Sequence, residues 1–161
     1  MDGGTEQIVA ETAHVCSLFS SQQIALPHEQ ARFALFDCDG NPLELETDEG
    51  GQPLWGKLPQ KDCVLWVSGG VTTPMLRTLA RRGAPITVAA PDATHFLFDR
   101  ASAQLFERGG GRLAVERALT IAAVCANPWS AYGNHLNREG LLDGLRAAIT
   151  VPVVDVKEDE V

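Results

Sequence analysis

The sequence predicts an α/β fold: a three-layer, mostly parallel sheet with helices on both faces and an amino-terminal β-hairpin at one edge. Three apolar segments carry that prediction. Val64-Leu65-Trp66-Val67 runs into Ser68-Gly69-Gly70. Ile86-Thr87-Val88-Ala89 runs into Pro91-Asp92-Ala93-Thr94-His95. Leu119 to Val124 runs into Asn127-Pro128. A helix-like pattern follows each segment, and strand, polar turn, helix, repeated, is the pattern of a parallel sheet with crossover helices. Near-continuous Val/Ile/Ala runs suit strands covered on both faces, as in Rossmann-like sheets. The 161 residues suit a single domain, with a β-rich part over 1–60 and a β/α core over 61–156.

Taken in order, Ile8-Val9-Ala10 and Val15 to Phe19 read as short strands, and Pro27 ends what precedes it. Arg32 to Cys38 reads as a strand, Asp39-Gly40 as a hairpin turn, and Leu43-Glu44-Leu45-Glu46 as a half-exposed strand because apolar and charged residues alternate. A strand over 63–68 leads to a helix opening at Thr73-Pro74, where a proline lacking its N–H is tolerated. Met75, Leu76, Leu79 and Ala80 form its apolar face, and Gly83 stops it. A strand follows over 86–90, then a short extended piece at Phe96-Leu97-Phe98. Asp99 caps a helix over 100–108 that Gly109-Gly110-Gly111 terminates. Arg112 to Val115 reads as a short strand or connection, and 119–126 as the next strand of the sheet. Asn137 caps a helix carrying Leu141, Leu142, Leu145, Ala148 and Ile149, and Val151 to Val154 forms the last strand.

Composition excludes several classes. The formal net charge is −8, whereas phosphate backbones and anionic lipid surfaces attract Lys and Arg, so neither nucleic acid nor membrane is an expected partner. No apolar run approaches the roughly 20 residues of a membrane span. The acidic, polar start Met1-Asp2-Gly3-Gly4-Thr5-Glu6 does not read as a signal peptide, which points to the cytoplasm. Cys16, Cys38, Cys63 and Cys125 are far apart and form no C-x-x-C pair, so no metal site is expected and the thiols read as small buried hydrophobes.

In open parallel sheets, ligands bind beyond the carboxyl ends of the strands. That rim is predicted to hold Ser68, Gly69, Gly70, Thr72, Thr73, Asp92, Thr94, His95, Asn127 and Ser130, with His135 nearby. Backbone N–H groups after Ser68 suit a small anionic ligand, and Asp92, His95 and Asn127 would give selectivity. The glycines match neither a Walker A loop nor G-x-G-x-x-G, and no cofactor is indicated. Ser68 is not a nucleophile elbow, because Trp66 stands where that turn needs glycine.

Two family resemblances bear on function. Ala34-Leu35-Phe36-Asp37-Cys38-Asp39-Gly40 resembles the first motif of the haloacid dehalogenase-like phosphohydrolases, and Val64–Val67 followed by Ser68 resembles their second. The resemblance implies Asp37 as nucleophile and Asp39 as general acid/base in a Mg²⁺-dependent phosphohydrolase. No lysine lies between Lys61 and Lys157 to supply the third motif, and no acidic pair closes the 119–126 segment. Separately, Val67 to Thr73, Asp92 to Phe96, and Asn127 to Gly133 resemble landmarks of the carboxyl-terminal domain of a reactivase subunit associated with lysine aminomutases. This second resemblance spans roughly 61–156 and implies an accessory domain. It does not carry nucleotide hydrolysis, because the amino-terminal phosphate-binding loop is missing here.

The leading expectation is a non-catalytic accessory or ligand-binding domain that holds a small anionic ligand or a protein partner at the strand-end rim. The alternative is the phosphohydrolase using Asp37 and Asp39. A homo-oligomeric module anchored by Trp55, Trp66 and Trp129 is a third reading.

Overall fold

The computed structural model describes residues 3–27, 31–128 and 136–156. Its helices are α1 (Gly3–Leu18), α2 (Thr73–Ala80), α3 (Arg100–Arg108) and α4 (Arg138–Ala148). Its strands are β1 (Gln22–Gln23), β2 (Phe33–Phe36), β3 (Pro42–Leu43), β4 (Cys63–Val67), β5 (Val71–Thr72), β6 (Ile86–Ala90), β7 (Phe96–Leu97), β8 (Arg112–Val115), β9 (Val124–Ala126) and β10 (Val153–Asp155). The fold is mixed α/β with a mostly parallel sheet, and the chain divides into two compact units. One is Ser21–Leu119; the other combines Met1–Ser20 with Thr120–Val161.

The unit 21–119 is built on a six-stranded sheet in the order β1-β8-β6-β4-β2-β3. Strands β1, β8, β6 and β4 are mutually parallel, with Trp66 beside Ala89 and Ala89 beside Ala114. β2 runs antiparallel to β4, and β3 antiparallel to β2. All five residues of β6 are buried, as its unbroken apolar run requires of a central strand. One face gathers Phe36, Trp66, Ala89 and Ala114, with Ile24, Leu26, Ala34 and Val64 packed against them.

Both crossover helices start where the sequence marks them. The Thr72 hydroxyl accepts the Met75 N–H at 3.4 Å, and an Asp99 carboxylate oxygen accepts the Ser102 N–H at 2.7 Å. Such caps satisfy N–H groups that have no partner within the helix. Leu76 and Leu79 of α2, and Ala103 and Phe106 of α3, bury the inward faces. The helices contact one another, and Arg77 Nε donates to Ser102 Oγ at 2.8 Å. They therefore share a face, where the sequence reading places helices on both. The steps β4→β6 and β6→β8 move the same way across the sheet, and two right-handed crossovers of that kind fall on one side.

The unit 1–20 with 120–161 contains α1, α4 and a two-stranded parallel sheet, β9 beside β10. Val9, Ala126, Leu141, Leu142 and Leu145 form its core. Asn137 caps α4, its side-chain oxygen accepting the Gly140 N–H at 2.8 Å.

Four expectations are corrected. Residues 8–10 and 15–18 are not strands but parts of α1, and Phe19 lies in the turn that follows, so the amino-terminal element is a helix. Glu6, Gln7, Ala10, Glu11 and Ala13 favour helix, and Thr5 and Val9 bury one face four residues apart. The strand expected over 119–126 is confined to 124–126 and pairs with 153–155, outside the six-stranded sheet. Its expected place beside β6 belongs to β8, whose Ala114 and Val115 are buried. The strand expected over 43–46 shrinks to Pro42–Leu43.

Candidate functional site

Ser68 follows β4 and Asp92 follows β6. Because these strands are parallel neighbours, both residues leave the sheet at the same end. The two loops are then stitched together. β5 and β7 pair in parallel, Val71 with Phe96 and Thr72 with Leu97, and Val71 and Phe96 are buried. His95 Nδ1 lies 3.1 Å from the Gly69 carbonyl oxygen. A carbonyl only accepts, so Nδ1 carries the proton and Nε2 is the second, unprotonated nitrogen of the neutral ring.

Several predicted site residues are engaged structurally. The Ser68 N–H and hydroxyl both donate to the Arg32 carbonyl, at 3.0 and 3.3 Å. Thr72 caps α2, and the Thr73 hydroxyl accepts the Asp99 N–H at 3.0 Å. A Cβ at Gly70 would stand 2.7 Å from Leu97 Cδ1, a contact the exposed Leu97 side chain relieves by rotating away.

Asp92 is the electrostatic centre of the loop pair. It is only 5% exposed. Oδ1 accepts the Thr94 N–H at 2.9 Å and also the Thr94 hydroxyl; Oδ2 accepts Arg117 Nη2 at 3.0 Å. The Thr94 hydroxyl holds the carboxyl below the usual range, against the opposing effect of burial, with Arg117, the Thr94 N–H and His95 adding to the lowering. The Arg117 side chain remains 72% exposed. Arg117 arrives here because the chain beyond β8 keeps following β6: the Glu116 N–H donates to the Ala90 carbonyl and the Arg117 N–H to that of Pro91.

The same end of the sheet carries a cavity of about 550 Å³ lined by Gln23, Ile24, Ala25, Leu26 and Glu116. Gln23 Nε2 closes part of its wall by donating to the Glu116 carbonyl at 3.0 Å. Sequence reasoning missed Arg117, Glu116 and Gln23. The available signal was the strand at 112–115, read there as no more than a short strand or connection.

Asn127 follows β9 and belongs to the other compact unit. Ser130 and His135 lie outside the described residues, as do Trp129 and Tyr132. Among the described residues, no group of three or more His, Cys, Asp or Glu side chains is arranged to hold a metal ion, and no helix is long and apolar enough to cross a membrane.

Asp37 and Asp39 occupy a hairpin turn. Asp37 Oδ1 accepts the N–H groups of Asp39 and Asn41, both at 2.9 Å, and Gly40 takes a φ of 83°. The same construction recurs at Asp48, whose Oδ1 accepts the N–H groups of Gly50 and Gln52, with Gly51 at φ 79°. The second turn lacks a counterpart of Asp39, so the D-x-x-G geometry requires no second carboxylate. A three-residue hairpin loop closing on a left-handed glycine explains both. Asn41, through its backbone N–H and then its amide, lowers the Asp37 pKa. Since Phe36 pairs with Val64 and Phe33 with Val67, Asp37 leaves the sheet opposite Ser68, about 17 Å away along the strand direction. The expected result is no Mg²⁺-dependent hydrolysis of p-nitrophenyl phosphate by the wild type or by Asp37→Asn. Hydrolysis abolished by that substitution would favour the phosphohydrolase reading over the binding one. Cys38 and Cys125 are exposed rather than buried, and Cys38 is not primed as a nucleophile, since partial desolvation and then neighbouring Asp62 push its thiol pKa up.

No protein-family model matches the chain, and comparison with curated proteins and with solved structures finds no match.

Proposed function

We propose that the chain is a non-catalytic binding domain that takes a small oxyanion at the strand-end rim of the six-stranded sheet, in an accessory role within the cytoplasm. The observation that carries this reading is the Asp92–Arg117 pair. A buried carboxylate fixes one edge of a guanidinium whose other N–H groups face solvent. Arginine presents five donors in a planar fork, so a guanidinium anchored on one edge still offers paired donors to a carboxylate or phosphate. Thr94 and His95 lie on the same loop and supply further polar contacts. The cavity lined by Gln23–Leu26 and Glu116 gives an organic ligand's body a place at the same sheet end. This reading treats the sheet as Rossmann-like and agrees with the accessory role implied by the reactivase resemblance. It carries over neither that family's partner nor nucleotide chemistry.

Affinity for a bare anion is expected to be weak, because Asp92 offsets the Arg117 charge and the chain as a whole is acidic. The test is an amide NMR titration with a panel of carboxylates and phosphate esters. Shifts centred on 69–70, 92–95 and 117 are expected for the wild type. They should be lost in Arg117→Ala and partly kept in Arg117→Lys, which retains the charge without the fork. Shifts that survive Arg117→Ala unchanged would overturn the proposal.

A further inference from the structure

We infer that anion binding at this rim is proton-linked through His95, so that the site takes oxyanions better in its imidazolium state. The inference rests on the anion-binding reading above and adds its regulation. Its basis is the geometry of the ring. The Gly69 carbonyl, 3.1 Å from Nδ1, fixes the neutral tautomer as Nδ1–H. Nε2 has no hydrogen-bond partner among the described residues, and the ring is only partly buried. Neutral His95 therefore presents a lone pair to an incoming anion, which repels it. Protonation converts that acceptor into a charged donor without disturbing the bond to Gly69, since Nδ1–H donates in both states.

The local charge balance makes this proton decisive. On its own loop His95 lies within electrostatic reach of Asp92, whose carboxylate is paired with Arg117 beyond β8. Loop 68–73, packed against it, contributes no ionisable side chain. Arg32, before β2, lies with its guanidinium 5.2 Å from the Phe33 ring centre. On the helix side Arg77 and Asp99 form a pair at 3.9 Å. Asp92 with Arg117 sums to zero, and Arg77 with Asp99 also sums to zero. Both pairs cancel, so a proton on His95 adds one positive charge beyond that of Arg32 to this loop cluster. An added charge within about 4–6 Å of a bound anion is worth on the order of one pKa unit, or about tenfold in affinity at the limit.

Sulfate is the suitable probe, because it stays a dianion across the range in which an imidazole titrates. Amide NMR titrations at about pH 8 and about pH 5.5, at constant ionic strength, should show sulfate binding about fivefold tighter at the lower pH. His95→Asn keeps a donor near the Nδ1 position and removes the titrating nitrogen. It should bind at both pH values with the weaker affinity, whereas His14→Gln, a histidine on α1, should leave the pH dependence intact. Long-range proton–nitrogen spectra at about pH 8 should show the Nδ1–H tautomer of His95. Sulfate binding that Arg117→Ala abolishes but that is independent of pH, or whose pH dependence survives His95→Asn, would overturn the proton linkage and leave the anion site standing. Binding that ignores both Arg117→Ala and His95→Asn would mark an adventitious ion only and sink both.

Discussion

Replacing Asp92 with Ala should lower the unfolding free energy of the 21–119 unit by about 1–2 kcal/mol and abolish anion binding at the rim. The size follows from what the carboxylate holds. It accepts from the Thr94 N–H, the Thr94 hydroxyl and Arg117 while itself almost wholly buried. Truncation leaves the Thr94 N–H and hydroxyl without their acceptor and releases the guanidinium; Thr94 and Arg117 are both exposed, so water replaces part of these bonds and limits the loss. The stitched strands β5 and β7 should loosen with it, visible as faster amide exchange at Thr72 and Leu97. Acid adds a second signature. Because the folded carboxyl has a depressed pKa, its stabilising contribution is complete above the unfolded value near 3.9 and is lost as pH falls through the lower folded value. The gap between wild type and Asp92→Asn, followed by urea unfolding and tryptophan fluorescence, should therefore be widest near neutrality and close progressively below about pH 4. A gap that did not change with pH would show that Asp92 acts through shape alone.

Some of this site was legible in the residues. The turns after Val67 and Ala90 fall together because an apolar run ending in Ser-Gly-Gly and another ending in Pro-Asp-Ala-Thr-His both read as buried parallel strands, and the structure pairs them in parallel. The caps at Asp99 and Asn137 were legible for a local reason: a side-chain oxygen three residues before an orphan N–H needs no tertiary information. What failed was sheet membership. Leu119 to Ala126 and Arg112 to Val115 both read as strands, and nothing local decides which borders β6. The choice is made by burial: Ala114 is small enough to lie beside Ala89 under Trp66, Ile24 and Leu26. Arg117 was invisible for the same reason, since an arginine beyond an unassigned strand has no address. The D-x-D-G match at Asp37 is a correct local signal for a turn, but the antiparallel pairing of β2, which sends Asp37 to the sheet end opposite Ser68, lies beyond any local pattern.

In the other unit, Asp155→Ala should cost about 3 kcal/mol, the largest single loss expected there. Asp155 closes β10, is 3% exposed, and accepts from Arg138 Nε at the first turn of α4. That pair fastens the strand to the helix whose Leu141, Leu142 and Leu145 make the core with Val9 and Ala126. Taking Asp155 out of water is expensive, and Arg138 stays 37% exposed, so the pair adds little over an apolar equivalent. Removing one partner alone leaves the other's desolvation unrepaid. A double-mutant cycle separates these contributions. Arg138→Ala and Asp155→Ala should each destabilise, and Arg138→Met with Asp155→Leu should be less damaging than the sum of the single changes. Amide exchange in β9, β10 and α4 is the appropriate readout, because a chain with two compact units need not unfold in one step. Strict additivity in the cycle would mean that Arg138 and Asp155 stabilise this unit independently and that their ion pair does not fasten the strand to the helix.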